Sequence, residues 1–171
     1  MAQHISPTDL AVAIHLATAS GTFQTLAKQM ATSASQVHKA VARLQSAGLV
    51  LPESRQVNRA ALLEFLTHGV RYAFAVQPGR PTLGIPTAHS APPLDAEIDA
   101  VDACVWPSPD GDTIGRGIRP LYPGAVHLRE RAPETYRLLA LVDAIRVGGA
   151  RERALAVERI AERLRLPARA A

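Results

Sequence analysis

Apolar residues recur with a helical period along much of the chain, and the places where that period breaks divide it into elements. Leu10, Ala13, Ile14 and Ala17 share one stripe; Phe23, Leu26, Ala27 and Met30 follow at i, i+3, i+4 and i+7; Val37, Ala40, Val41 and Leu44 form a third. Each stripe is about a hundred degrees wide, enough to bury one side of a helix. Ser6-Pro7 ahead of Asp9 supplies a cap, a first-turn proline and an acid at the positive end of the dipole. Ser33-Ala34-Ser35-Gln36 has the S-x-x-Q form of a capping box, so a new helix is predicted from Ser33. Gly48 is placed to stop it in the left-handed conformation, and a short strand is expected from Leu49. Asn58 then caps a helix reaching His68, with Leu62, Phe65 and Leu66 inward and Gly69 ending it.

The second half is punctuated differently. Val70–Val76, VRYAFAV, is loosely alternating and rich in aromatic and β-branched residues, which predicts a strand. From Pro78 to Pro93, and again over Val105–Tyr122, prolines and glycines exclude regular helix and leave extended or turning backbone. Pro133 opens a strong helix with Leu138, Leu141, Val142 and Ile145 inward, ended by Gly148-Gly149. A second follows from Ala150 with Val157, Ile160, Ala161 and Leu164 at the same spacing, so a helical hairpin is expected. Its outer face interleaves arginine and glutamate, as a solvated surface does.

The helix from Ser33 carries the candidate chemistry. Opposite its apolar stripe stand Ser35, Lys39, Ala42 and Ser46, flanked by Gln36, His38 and Arg43, with no acidic residue among them. Hydrogen-bonding and cationic groups of this kind suit base edges and phosphates in a major groove, and small Ala42 permits close approach. The plain alternative is a polar helix face that merely meets water.

The run LAKQMATSASQVHKAVARLQSAGLV resembles the winged helix-turn-helix bacterial transcriptional regulators, MarR-like proteins in particular. LA-x-x-M stands for the first helix of the motif, SASQVHKAV for the recognition helix and L-x-x-AGLV for its exit into the wing; the likeness covers roughly residues 6–70. The resemblance implies that Ser35, Gln36, His38, Lys39 and Arg43 read DNA and that Arg55 lies in a wing touching the flanking backbone. Leu49–Val57 is short for a hairpin, holds Pro52 and offers Arg55 as its sole cation. The expected fold class is mainly α with minor β (α+β). Three segments are expected: a winged helix-turn-helix over 1–76, a Pro/Gly-rich middle with short strands over 77–131, and a C-terminal helical hairpin over 132–171, suited to dimerisation. Proteins of this kind bind as two-fold dimers because half-sites one duplex turn apart add affinity.

Composition adds little against this. The 171 residues carry a net charge of +4 and a pI near 9.8, which permits an anionic partner without requiring one. A single cysteine, Cys104, excludes an internal disulfide and a multi-cysteine zinc site. Thr87, His89 and Ser90 are neighbours on an extended stretch and point to alternate sides, so they do not form a nucleophile and its base. Gly111, Gly115 and Gly117 lack the spacing of a phosphate loop, and Trp106 reads as packing. No enzyme activity, metal or cofactor is expected. With no leader and no run of about eighteen apolar residues, the expected setting is cytoplasmic, without membrane insertion. The leading expectation is a sequence-specific regulator binding double-stranded DNA as a homodimer; the alternative is a protein-interaction or antitoxin-like module on the same scaffold.

Overall fold

In the computed structural model, which describes residues 4–165, α1 spans Pro7–Thr18, α2 Phe23–Gln29 and α3 Ala34–Ser46. The start of α1 is a reciprocal capping box: the Ser6 hydroxyl accepts from the Asp9 amide at 3.1 Å, and the Asp9 carboxylate accepts from the Ser6 amide at 2.8 Å. Its stripe is wider than the sequence predicts, because every residue from Asp9 to His15 is buried. A helix buried almost all round is a core element, and α3 packs against both α1 and α2. Val37, Ala40, Val41 and Leu44 form the buried face of α3 as expected. Gly48, at φ +77°, takes the left-handed position beyond its end, where a residue with a Cβ is strained.

After α3 a two-residue bridge, Val50 with Val57, closes a miniature hairpin, and the Leu51 amide donates to the Gln56 carbonyl at 2.9 Å. Helix α4 (Arg59–His68) begins where Asn58 accepts from the Ala61 amide at 3.2 Å. The strand expected over Val70–Val76 is instead a helical turn, α5 (Val70–Ala73), with the Ala73 amide donating to the Gly69 carbonyl at 2.9 Å. The physical reason is a lack of strand partners: the sheet farther along closes on itself and leaves no edge. Val70 is buried while Tyr72 stands 74% exposed.

That sheet comprises β1 (Pro81–Pro86), β2 (Cys104–Pro107) and β3 (Thr113–Gly117). β1 runs antiparallel to both others, β2 and β3 pair in parallel, and the three close into a small barrel. Such tight closure needs a bare backbone at the centre. Gly84 lies opposite both Pro107 and Thr113, and a Cβ there would sit 2.2 Å from the Trp106 carbonyl oxygen.

The remaining helices are α6 (Leu128–Arg131), α7 (Pro133–Val147) and α8 (Ala150–Arg163). Residues 138–145 of α7 are buried without a break, a wider burial than the predicted Leu138, Leu141, Val142 and Ile145. On α8, Ile160 and the C-cap Leu164 are buried as expected, while Val157 and Ala161 are half-buried and Ala156 is buried in addition. The described residues gather into two compact units, each discontinuous in sequence: 4–62 with 121–136, and 63–120 with 137–165. The fold is thus mixed α and β, mainly helical with one small sheet. No single helix among the described residues is long and apolar enough to cross a membrane.

Each unit has a buried polar knot. In the first, His15 Nδ1 lies 2.7 Å from the Thr135 hydroxyl and Nε2 2.9 Å from the Gln29 side-chain oxygen, joining α1, α2 and the start of α7. In the second, the Asp143 carboxylate accepts from Thr87 Oγ1 at 2.8 Å, Trp106 Nε1 at 2.6 Å and Arg146 at 2.7 Å. Burial pushes the Asp143 carboxyl above its ordinary range, and the Arg146 guanidinium pulls against it. Trp106 is a packing residue as expected, 1% exposed. Ser90 accepts from the Cys104 amide at 2.9 Å and His89 faces the Asp102 carbonyl, so the two side chains serve backbone rather than each other. The Cys104 thiol is itself buried, which pushes it up to about 11 and leaves it protonated at neutral pH.

Candidate nucleic-acid interface

The candidate face is built by the cap that starts α3 and the pair that braces it. Ser33 Oγ accepts from the Gln36 amide at 3.2 Å, fixing the first turn. The reciprocal half of the predicted capping box is absent, because the Gln36 side-chain oxygen takes the Thr32 hydroxyl instead. Ser35, Gln36, His38, Lys39, Ala42 and Ser46 are all exposed, so the outward face is laid out as the helical period predicts. Six side chains meet solvent and none is acidic.

Arg43 is placed differently. Its guanidinium grips Asp9 in fork geometry, Nε to Oδ2 at 2.8 Å and Nη2 to Oδ1 at 2.6 Å, and Asp9 is fully buried. The hydrogen bond to Asp9 raises the already high pKa of Arg43. This pair ties α3 to the first turn of α1, so Arg43 works as a brace for the face. Asp9 was legible only as a dipole-favouring acid; nothing in a 34-residue separation announces its partner.

Arg55 also has internal partners. Its Nη1 donates to the Gly21 carbonyl, and its guanidinium lies 5.2 Å from the centroid of Phe23. The ring of His38 meets the same phenyl edge-on, centroids 5.3 Å apart. Phe23 therefore stands between a base on α3 and a base on the hairpin, with one edge and one face engaged. Gln45 Nε2 donates to the Ser54 carbonyl at 2.7 Å, fastening the hairpin to α3 from the other side. A groove of about 280 Å³ runs between these elements, walled by Phe23, His38, Ala42, Gln45, Arg55 and also Glu53. Glu53, at φ +54° in the hairpin turn, brings a carboxylate to the rim. Sequence reasoning placed Phe23 in the core and did not single out Gln45 or Glu53; their roles depend on a turn only a few residues long.

The six predicted residues thus divide. Ser35, Gln36, His38 and Lys39 share the exposed side of one helix, Arg55 borders it through Phe23, and Arg43 turns back into the fold. No protein-family model, curated protein or solved structure matches the chain.

Proposed function

We propose that the first unit is a winged helix-turn-helix and that the chain is a sequence-specific regulator binding double-stranded DNA as a homodimer. One observation supports the reading above the rest: a capped helix, braced by an ion pair to a buried carboxylate, presents six exposed side chains free of carboxylates. In this reading α3 enters the major groove, where Gln36 and Ser35 contact base edges, Lys39 contacts phosphate and Ala42 allows approach. His38 stands at the groove wall beside Phe23 and Arg55, next to the hairpin that serves as the wing.

The test is anisotropy titration of labelled duplexes across a salt series. Lys39→Ala should weaken binding to every duplex and lower the salt slope by about one phosphate per protomer, whereas Gln36→Ala should mainly relax discrimination between sequences. Sedimentation of the complex should give two chains per duplex. If neither substitution changes affinity, the assignment is wrong.

The groove itself favours a second reading. Glu53 on its rim and two arginines engaged within the fold make this face less cationic than a strong DNA reader's, which suits a winged helix used to hold another protein. Retention on heparin that falls steeply with salt supports DNA; no retention, with a salt-stable protein complex, supports the alternative.

A further inference from the structure

A second concave surface lies wholly within the other unit, in a cavity of about 540 Å³. Its walls hold three basic side chains, His68 and Arg71 from the end of α4 and α5, and Arg153 from α8. Tyr72 stands among them with most of its ring exposed, and Ile145 and Val157 give it an apolar floor. Among the described residues, no carboxylate lines the cavity. Among the described residues no acid pairs with these bases: Arg71 lies over the Tyr72 ring at 5.2 Å, and Arg153 donates to the Gly148 carbonyl at 2.8 Å. Elsewhere in the same unit arginines are paired closely, Arg159 with Glu97 at 2.8 Å and Arg146 with Asp143 at 2.7 Å. Unpaired cations around a concavity repel one another and are relieved by an anion.

The kind of anion follows from the rest of the lining. Three bases exceed what one carboxylate needs and suit a phosphate, which offers more acceptor oxygens and up to two charges. An exposed tyrosine beside an apolar floor suits a planar ring stacked on it. The volume falls within the range of small-ligand sites. We propose that this cavity binds a nucleoside phosphate, with the base against Tyr72 and the phosphate among His68, Arg71 and Arg153. The site is independent of α3 and of DNA binding.

Calorimetric titration of the full chain with the four common nucleoside 5′-monophosphates tests it, with adenosine alone and inorganic phosphate alone as separate arms. At least one monophosphate should bind saturably in the micromolar to low millimolar range, about tenfold or more tighter than either half-ligand. Tyr72→Ala, at an exposed position, should weaken it about tenfold, and Arg71→Gln by a similar factor, with unchanged circular dichroism; Tyr72→Phe should restore binding. Arg153→Lys should weaken binding while keeping the positive charge, because the fork geometry is lost. Absence of saturable binding by all four compounds overturns the proposal. So does phosphate binding as tightly as the nucleotides, or affinity untouched by Tyr72→Ala and Arg71→Gln.

Discussion

The link between Asp9 and Arg43 is the sharpest quantity the fold offers, because it separates bracing from DNA contact at a residue for which both are plausible. Arg43→Ala strands a fully buried carboxylate that, among the described residues, keeps only the Ser6 amide as a donor. Removing one partner of a fully buried pair costs about 3–5 kcal/mol, and the Arg43 side chain is 32% exposed, so the lower end, about 3 kcal/mol, applies. Asp9→Ala lets Arg43 regain water through its exposed side and forfeits the reciprocal cap, for about 2 kcal/mol. Once either is gone the other has little left to lose, so the double substitution should cost about 3 kcal/mol and the coupling should be about 2 kcal/mol. Urea titration followed by far-UV ellipticity measures all four corners of the cycle, with Trp106 fluorescence reporting on the second unit. Arg43→Ala should also leave the salt slope of DNA binding nearly intact when measured well below the unfolding midpoint. Coupling below about 0.5 kcal/mol, or a slope reduced as much as by Lys39→Ala, refutes the bracing role.

Three further outcomes are expected. Burial lowers the pKa of His15 from its ordinary 6.5, with the Gln29 hydrogen bond opposing, so the unfolded chain takes up this proton first; stability from this residue is full above about 6.5 and falls as pH drops toward the folded value, by at most about 1.4 kcal/mol per pH unit. His15→Gln should flatten that part of the stability profile, and an unchanged profile would contradict it. The Tyr122 hydroxyl is buried with no partner among the described residues, so Tyr122→Phe should leave stability unchanged or raise it by about 1 kcal/mol, and a loss larger than that in urea titration would mean the hydroxyl is satisfied. Phe23→Leu keeps apolar bulk but removes the ring that His38 and Arg55 share; it should weaken DNA binding a few-fold at constant Lys39, by about 0.5–1.5 kcal/mol, and unchanged affinity would show that the stack positions nothing.

What the chain declares in its sequence is what local physics decides. Ser6 and Pro7, Ser33, Gly48, Asn58 and the Gly148-Gly149 joint mark helix ends through backbone groups a few residues away, and the buried face of α3 follows from its period alone. Val70–Val76 misleads because β-branched and aromatic content describes any half-buried segment, and the choice between turn and strand rests on whether a partner strand exists. The candidate face divides the same way. Exposure of Ser35, Gln36, His38 and Lys39 is periodic and therefore readable; the capture of Arg43 by Asp9 and of Arg55 by Gly21 and Phe23 joins residues 30 or more apart and leaves no local trace. The same holds for Arg153, which joins the neighbouring His68 and Arg71 only through tertiary packing.

Those captures change what the proposed reader can rely on. Of three basic residues expected to meet phosphate, two spend their hydrogen bonds holding α3 and the hairpin in place, which leaves Lys39 as the lysine or arginine on the exposed side of α3 without an internal partner among the described residues. One phosphate contact per chain gives a salt slope near one and weak non-specific attraction, so a single copy would hold DNA poorly. Two copies on one duplex double the slope and convert the second contact into an intramolecular one, at an effective concentration that raises affinity without any new side chain. A rigid, sparsely charged face therefore makes the homodimer a requirement of the proposed function: affinity and salt slope must fall together when the chain is held monomeric, and a monomer that binds duplex as tightly as the dimer is incompatible with a reader built on Lys39.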